Sequence, residues 1–347
     1  MTLAHPIGGT ALFSACNPVH AVMPLIGNTP LLEMRFRVRD GERRIFAKYE
    51  PLNLTGSIKD RMAAYILGCA YESGAIESGW EIVEATSGNT GISFAAIGRA
   101  LGNPVRIFMP DWMSRERVVL LEGFGAELVP VSRQEGGFLG SIARADEYAA
   151  AHERVFQPRQ FTNPCNVEAH AYGTGPEIIA QLARAGCEPT AFVAGVGTGG
   201  TVMGVAQAMR ARHPGAAIHP LEPSSAPVLS AGRKTGQHRI QGISDEFVPP
   251  IVDLGLLDRI VSVPDGDAIL MAQSLSRGMG LGVGISSGAN VLGALGLLDD
   301  LDQDAVVVTV LPDSNKKYLS TDLFGAEPVR REYLSPRVEP LGFRAIT

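Results

Sequence analysis

Lys59 is the residue whose position most clearly indicates chemistry. It follows a Gly56-Ser57 turn and opens residues 59–71, which are predicted to form a helix. Neighbouring residues can hold a lysine in that position and direct its amine into a cleft. Lys59 is therefore the first candidate for a reactive amine.

A glycine-rich loop, residues 195–201 (GVGTGGT), lies between a predicted strand at 191–194 and a predicted helix at 201–212. Glycines let backbone N–H groups approach an anion closely, and the helix N-terminus adds partial positive charge. A ligand-free turn and a dinucleotide loop are the alternatives. A P-loop is excluded because no Lys-Ser/Thr follows the glycines. A phosphate monoester fits the loop best.

A second loop, residues 86–91 (TSGNTG), also joins a predicted strand to a predicted helix. Its hydroxyl and backbone N–H groups could bind a carboxylate, although the same residues could simply cap the helix. Ser314 follows the apolar segment 305–311, where a hydroxyl would point toward a ligand cleft or cap a helix. One amine served by two anion-binding loops predicts a lysine that holds a phosphorylated cofactor.

Composition narrows the class of protein. The chain has 347 residues, of which 45% are hydrophobic and 19% charged, so it is large enough for two globular domains. Its net charge of −6 gives no electrostatic basis for binding nucleic acid or an anionic membrane. No apolar run approaches the ~18 residues of a membrane span, and residues 1–21 lack the pattern of a signal peptide. A cytoplasmic enzyme is predicted.

The four cysteines do not have the spacing of a metal-binding motif. They are predicted to be reduced thiols that serve as small hydrophobic residues, and no HExxH motif is present; their positions are Cys16, Cys69, Cys165 and Cys187. No metal site is predicted.

Short apolar segments alternate with helical ones along most of the chain. From residue 81 the strands predicted at 81–85, 105–109 and 127–131 alternate with helices at 91–101, 115–124 and 138–153. This alternation is typical of parallel, doubly wound sheets. A long helical region is predicted at 166–185 and a further helix at 290–298. The second series of such units after residue 190 predicts an α/β protein of two doubly wound domains with a cleft between them.

Several motifs together resemble the fold-type-II pyridoxal-phosphate enzymes, most closely the cysteine synthase and cystathionine β-synthase branch. The likeness extends from about Pro24 to Phe324. The motifs are residues 24–31 (PLIGNTPL), Asn53 with 56–61 (GSIKDR), 84–91 (EATSGNTG), 109–110 with 113–117 (MSRER), 160–164 (QFTNP), 197–201 (GTGGT), 240–243 (IQGI) and 286–290 (SSGAN).

This resemblance implies a role for each matching residue. Lys59 would form the Schiff base with pyridoxal phosphate and move protons during the reaction. Asn89 would form a hydrogen bond with the ring hydroxyl of the cofactor, and Ser314 would contact its ring nitrogen. The cofactor phosphate would be held by Gly197, Thr198, Gly199, Gly200 and Thr201. The substrate carboxylate would be held by Thr86, Ser87, Gly88, Thr90, Gln160 and Gly242.

The same resemblance implies a β-substitution by a ping-pong route through an α-aminoacrylate. An activated L-serine, with O-acetylserine first, would react with a sulfur nucleophile to give L-cysteine. It also implies a homodimer and a division of the chain. An arm would cover 1–22, a large domain 23–47 plus 164–326, a smaller mobile domain 48–163, and a tail 327–347.

Two departures from the cysteine synthase pattern keep other reactions open. Asp313 precedes Ser314, and Ser244, Asp245 and Glu246 follow the 240–243 motif, as in the cystathionine branch. The two carboxylates could recognise the ammonium group of homocysteine, repel an anionic nucleophile, or simply face solvent. The alternatives are therefore a cystathionine β-synthase-like condensation, a specialised β-substitution giving a nonprotein amino acid, or a catalytically inert binding protein.

Overall fold

The computed structural model describes residues 13–39 and 41–347, so the first twelve residues of the predicted arm lie outside the described part. Its strands form two sheets. They are β1 Leu31–Val38, β2 Gly41–Tyr49, β3 Glu81–Ala85, β4 Val105–Pro110, β5 Glu127–Val131, β6 Val155–Phe156, β7 Ala191–Gly195, β8 Ala217–Pro223, β9 Val261–Val263, β10 Val307–Leu311 and β11 Val338–Ile346.

The larger sheet has seven strands in the order β11-β1-β2-β10-β7-β8-β9, and the smaller has four in the order β5-β4-β3-β6. Every pairing in the smaller sheet is parallel. In the larger sheet only the pairs β1–β2 and β1–β11 are antiparallel. The predicted α/β fold with mainly parallel sheets is confirmed.

Helices cover both sheets. They are α1 Lys59–Ser73, α2 Asn89–Ala100, α3 Arg115–Gly123, α4 Gly137–Ala151, α5 Pro164–Ala169, α6 Gly175–Arg184, α7 Gly200–Arg212, α8 Val228–Ala231, α9 Asp265–Met279 and α10 Ile285–Leu297. One core cluster joins the larger sheet to α9 and α10, another joins its opposite face to α6 and α7, and a third surrounds α1 and α2. No helix of the described residues is long and apolar enough to cross a membrane.

The structure differs from the sequence prediction in several elements, and the short elements β6, β9 and α8 were not predicted. The helical region predicted at 166–185 is divided into α5, a π-helical segment His170–Thr174 and α6, which has a proline in its first turn. Helix α10 begins at Ile285, five residues before the predicted start at 290. Residues 338–346 form β11, which pairs with β1 from the opposite end of the chain, and no strand was predicted there.

The parallel strands determine where a ligand can bind. Residues 86–91 follow β3, residues 196–201 follow β7, and residues 312–318 follow β10. In open α/β sheets, ligands bind beyond the carboxyl ends of the strands. The loops singled out from the sequence therefore meet at one cleft.

Candidate active site

Lys59 is the first residue of α1, and its segment is tied to the loop that follows β10. The backbone N–H of Ile58 donates to the carbonyl oxygen of Pro312 at 2.8 Å, and Ser57 forms an isolated antiparallel bridge with Asp313. These contacts join α1 to the end of a strand buried along its whole length. The backbone that carries Lys59 is thus held by the loop that follows β10, and its side chain lines the cleft.

The surroundings of Lys59 favour its neutral amine. Burial lowers its pKa from the usual lysine value, because the charged form loses hydration, while the nearby carboxyl groups of Asp313 and Asp245 oppose this change. A lysine whose pKa is lowered can act both as a nucleophile and as a base near neutral pH.

The cleft encloses a cavity of about 540 Å³. Almost all the residues that the sequence pointed to line it, namely Lys59, Thr86, Ser87, Gly88, Asn89, Thr90, Gln160, Gly197, Thr198, Gly199, Thr201, Gly242, Ser244, Asp245 and Glu246. Two of the predicted residues, Gly200 and Ser314, are not among the lining residues. The volume is that of a site for a small cofactor together with its substrate.

The loop before α7 forms a narrow cradle. Gly199 has a φ of +91°, and a Cβ atom there would lie 2.1 Å from Cγ2 of Val252, so only glycine fits. The amide of Asn166 donates to Oγ1 of Thr198 at 2.9 Å, and Nε2 of His170 lies 3.3 Å from Oγ1 of Thr201. Converging backbone N–H groups at the start of a helix, with two positioned hydroxyls, fit a phosphate group.

Asn89 presents a free acceptor beside Lys59. Its Nδ2 donates to Oδ2 of Asp313 at 2.7 Å, and the hydroxyl of Tyr318 donates to the same carboxylate oxygen at 2.6 Å. The buried Oδ1 of Asn89 has no hydrogen-bond partner within the described residues. A ligand that carries a ring hydroxyl would satisfy that oxygen, and this agrees with the predicted role of Asn89.

Ser314 caps the short helix 315–317, because the backbone N–H of Lys316 donates to its Oγ at 3.3 Å. Its own backbone N–H donates to the carbonyl oxygen of Gly56 at 3.3 Å, so Ser314 lies close to the lysine segment. The capping contact was one of the two interpretations that the sequence left open. Its proposed contact with a cofactor ring nitrogen stays a prediction.

The loop after β3 and the chain before α5 face each other. The hydroxyl of Thr90 donates to Oε1 of Gln160 at 2.7 Å, and Nε2 of Gln160 donates to the carbonyl oxygen of Ala85 at 3.0 Å. The backbone N–H of Gly88 donates to Oγ1 of Thr86 at 3.1 Å. These bonds hold the hydroxyls and the start of α2 in place, as a carboxylate-binding site requires.

The 244–246 segment faces the cavity rather than solvent alone. Ser244 adopts a φ of +54°, and its backbone N–H donates to the carbonyl oxygen of Val196 at 2.8 Å. Burial raises the pKa of Asp245 to about 6; the charge of Lys59 opposes that change and Glu246 adds to it. Glu246 forms an ion pair with Lys234. Asp245 is thus a carboxyl group that can gain or lose a proton near neutral pH.

Arg117, to which no role was assigned from the sequence, joins the start of α3 to Gln241. Its guanidinium donates to Oε1 of Gln241 and to Oγ of Ser114, the latter at 3.3 Å, and it lies 4.9 Å from the ring centre of Tyr318. Residues 113–117 belonged to a motif that the resemblance was based on. No pattern in a single sequence shows that Arg117 and Gln241, 124 residues apart, meet.

This fold and site define a class. The chain belongs to the pyridoxal-phosphate dependent enzymes, whose family pattern matches residues 22–313. It is 39% identical over 310 residues to the cysteine synthase of Staphylococcus aureus, which covers 89% of this chain and 98% of that protein.

Two solved structures extend the comparison. A hydrogen sulfide-producing enzyme from Fusobacterium nucleatum is 54% identical, with a TM-score of 0.91 over 93% of this chain and 96% of that one. An aspartate-to-asparagine mutant of that enzyme is known in complex with an α-aminoacrylate intermediate. The O-acetylserine dependent cystathionine β-synthase of Helicobacter pylori is 31% identical, with a TM-score of 0.79 over 90% of this chain and 100% of that one.

The predictions of family, cofactor and reaction class are therefore confirmed. The protein is a pyridoxal-phosphate-dependent enzyme of the cysteine synthase type that performs β-substitution on a small amino acid. The residues around the cavity fit that cofactor, since the loop before α7 suits its phosphate and the free oxygen of Asn89 suits its ring hydroxyl.

Proposed function

We propose that this enzyme exchanges the group on Cβ of a serine-type amino acid for a sulfur nucleophile, and that Asp245 carries the proton of the sulfur. In one direction O-acetyl-L-serine and sulfide give L-cysteine and acetate. In the other, L-cysteine loses its sulfur as hydrogen sulfide, and acetate or water takes the place of the sulfur on Cβ to give O-acetylserine or serine. The observation that carries the proposal is the placement of the Asp245 carboxyl group in the cavity wall, close enough to Lys59 for each to influence the other's pKa.

The roles of the other residues follow from their positions. The loop Gly197, Thr198, Gly199 and Thr201 would hold the cofactor phosphate, Lys59 would hold the cofactor itself, and Thr90 with Gln160 would hold the substrate carboxylate. When bound, pyridoxal phosphate supplies the electron withdrawal that makes the Cα proton of an amino acid acidic. The neutral amine of Lys59 then accepts that proton and later returns it.

Asp245 determines the form in which sulfur enters and leaves. A carboxylate repels the anion HS⁻, so the nucleophile enters as neutral H₂S or a thiol and gives its proton to Asp245. In the reverse direction the protonated carboxyl group donates to the departing sulfur, as microscopic reversibility requires. A pKa of about 6 lets the same side chain perform both steps near neutral pH.

Homocysteine is the second candidate for the nucleophile. Its thiol would use Asp245 in the same way, and the H. pylori relative is described as a cystathionine β-synthase dependent on O-acetylserine. Arg117 favours this candidate. Its buried Nε has no partner within the described residues, and its N–H could donate to the additional carboxylate that homocysteine brings.

Product analysis tests these proposals. O-acetylserine, O-phosphoserine, serine and cysteine are supplied in turn as first substrate, with sulfide, thiosulfate or homocysteine as second. The reactions are repeated with Asp245→Asn and with Glu246→Gln as the matched control. We expect Asp245→Asn to slow cysteine formation and sulfide release by about a hundredfold or more, the usual contribution of a general acid–base. Cofactor absorbance and the Glu246→Gln rates should change little.

The pH dependence gives a second readout. Because Asp245 must be ionised to accept a proton, the rate of cysteine formation should rise with pH through about 6, and the variant should lose that rise. Sulfide release needs the protonated acid and should fall above that pH. Full activity of Asp245→Asn with an unchanged pH profile would refute the role given to Asp245.

We further propose that the protein is a cytoplasmic homodimer in which residues 48–163 move as a small domain against 23–47 and 164–326, with an arm at 1–22 and a tail at 327–347. The strands of the smaller sheet all fall between residues 81 and 156, which supports the small domain. The four cysteines all lie in the described residues and are free thiols, which supports a reducing compartment. Light scattering tests the dimer. Small-angle scattering with and without substrate tests the movement.

A further inference from the structure

Two cysteines and a glutamate form a cluster away from the active-site cavity. Cys69 lies on α1, and Cys165 and Glu168 lie on α5. The two sulfur atoms and a carboxylate oxygen all lie within 4.8 Å of one another, and all three side chains are partly exposed. In residues 13–39 and 41–347 no other three His, Cys, Asp or Glu side chains converge in this way. None of the three lines the cavity.

Two packed helices fix the cluster. Cys165 and Glu168 are three residues apart, so they lie on one face of α5. The amide oxygen of Asn163 accepts from the backbone N–H of Cys165 at 3.0 Å, which fixes the start of that helix. Cys69 comes from α1, which packs against α5. The three groups therefore converge without any loop having to move.

The three side chains have the chemistry that a metal site needs. The thiolate is the form of cysteine that binds metals, and a metal ion displaces the thiol proton when it binds.

We propose that Cys69, Cys165 and Glu168 bind one zinc-class divalent cation. Two sulfurs and one carboxylate oxygen, with a fourth position for water, form a ligand set that zinc accepts. At the usual Zn–S distance of ~2.3 Å, tetrahedral geometry places two sulfur ligands about 3.8 Å apart. The two sulfur atoms lie within 4.8 Å of each other, so they need to move only slightly closer to reach that geometry. The proposed site departs from the expectation, based on sequence spacing alone, that the protein has no metal site.

A cation at this position would join α5 to α1, the helix that begins at Lys59. Binding should therefore stabilise the folded protein, and above the dissociation constant this stabilisation should rise with the logarithm of the free metal concentration. Metal affinity and melting temperature can both be measured without reference to catalysis, so this inference does not depend on the β-substitution proposed above.

The test uses the reduced, metal-free holoenzyme. Cobalt(II) is titrated as a probe, and the sulfur-to-cobalt charge-transfer band is followed in difference spectra against the metal-free holoenzyme. We expect one equivalent to bind and to be displaced by zinc. Cys69→Ser and Cys165→Ser should lose the band, and Glu168→Gln should weaken binding by about tenfold or more. Cys16→Ser and Cys187→Ser are matched controls and should bind normally.

Melting temperatures separate a metal site from damaged folding. Without metal, the Cys69→Ser and Cys165→Ser variants should melt close to wild type, and with zinc the wild type should gain several degrees while these two variants gain none. The proposal is overturned if no stoichiometric binding occurs. It is also overturned if the band persists in Cys69→Ser and Cys165→Ser, or if thiol titration shows that the pair forms a disulfide and binds no metal.

Discussion

Replacing Arg61 with methionine tests how the lysine segment is anchored. Arg61 lies in the first turn of α1, and its side chain is only 5% exposed. It donates to both carboxylate oxygens of Glu50 at 2.6 and 2.9 Å, and to both oxygens of Glu177 at 2.7 and 2.8 Å. Lys48, itself fully buried, pairs only with Glu177 at 2.7 Å. Without Arg61 the fully buried carboxylate of Glu50 would lose its main counter-charge.

Breaking a buried pair by removing one partner usually costs about 3–5 kcal/mol. The matched control is Arg344→Met, which removes an arginine 66% exposed from its pair with Glu33. Exposed pairs contribute about 0–1 kcal/mol, so the two variants should differ several-fold in the loss of unfolding free energy. Urea unfolding of each protein at pH 7, saturated with cofactor, measures that loss. An Arg61→Met loss no larger than that of the control would refute the reasoning.

Acid titration of the same variants checks the cause. Burial alone would raise the pKa of Glu177, but the hydrogen bonds and charge of Arg61 outweigh it and lower the pKa from 4.5 to about 2. The stabilisation is therefore complete above about pH 4.5 and is lost as the pH falls toward 2. The gap in stability between wild type and Arg61→Met should narrow over that range. A gap that stays constant would show that lost packing, not lost charge pairing, causes the destabilisation.

Two further substitutions separate cofactor binding from substrate binding. Gly199→Ala would force a Cβ atom into Val252 at a positive φ, which costs ~1–3 kcal/mol of strain. The apoenzyme of this variant should therefore bind pyridoxal phosphate at least about fivefold more weakly in a titration. Gly186→Ala, also at a positive φ but with open space around it, should leave cofactor affinity unchanged. Thr90→Val removes the bond to Gln160, and a loss of ~1 kcal/mol predicts about a fivefold higher KM for the amino acid with unchanged cofactor affinity. The opposite result, weaker cofactor binding with the same KM, would contradict the division of tasks between the loops.

Local patterns explain why much of the fold and site could be predicted. The strand at 81–85 and the helix that begins at Lys59 have clear periodicity and clear boundaries, and the structure has both. The loops at 86–91 and 195–201 join a strand to a helix, and parallel strands bring such loops to the same edge of a sheet. The cleft therefore follows from the order of elements along the chain.

Contacts between distant segments explain what could not be predicted. The pairing of β11 with β1 joins residues about 300 apart, and Pro340 and Gly342 interrupt residues 338–346, so the segment does not indicate a strand by itself. The bond from Asn166 to Thr198 and the bridge from Arg117 to Gln241 likewise depend on the packing of separate elements. No periodicity within one segment encodes such contacts.

The two carboxyl groups that face Lys59 differ in a way that divides the chemistry between them. Asp313 accepts hydrogen bonds from Asn89 and Tyr318, so its orientation is fixed. Asp245 has a pKa raised to about 6 by burial, so its charge changes near neutral pH. Pairs of acids whose surroundings differ in this way assign the separate roles of an active site. We therefore propose that Lys59 handles the proton at Cα and that Asp245, where it meets the incoming sulfur, selects the nucleophile.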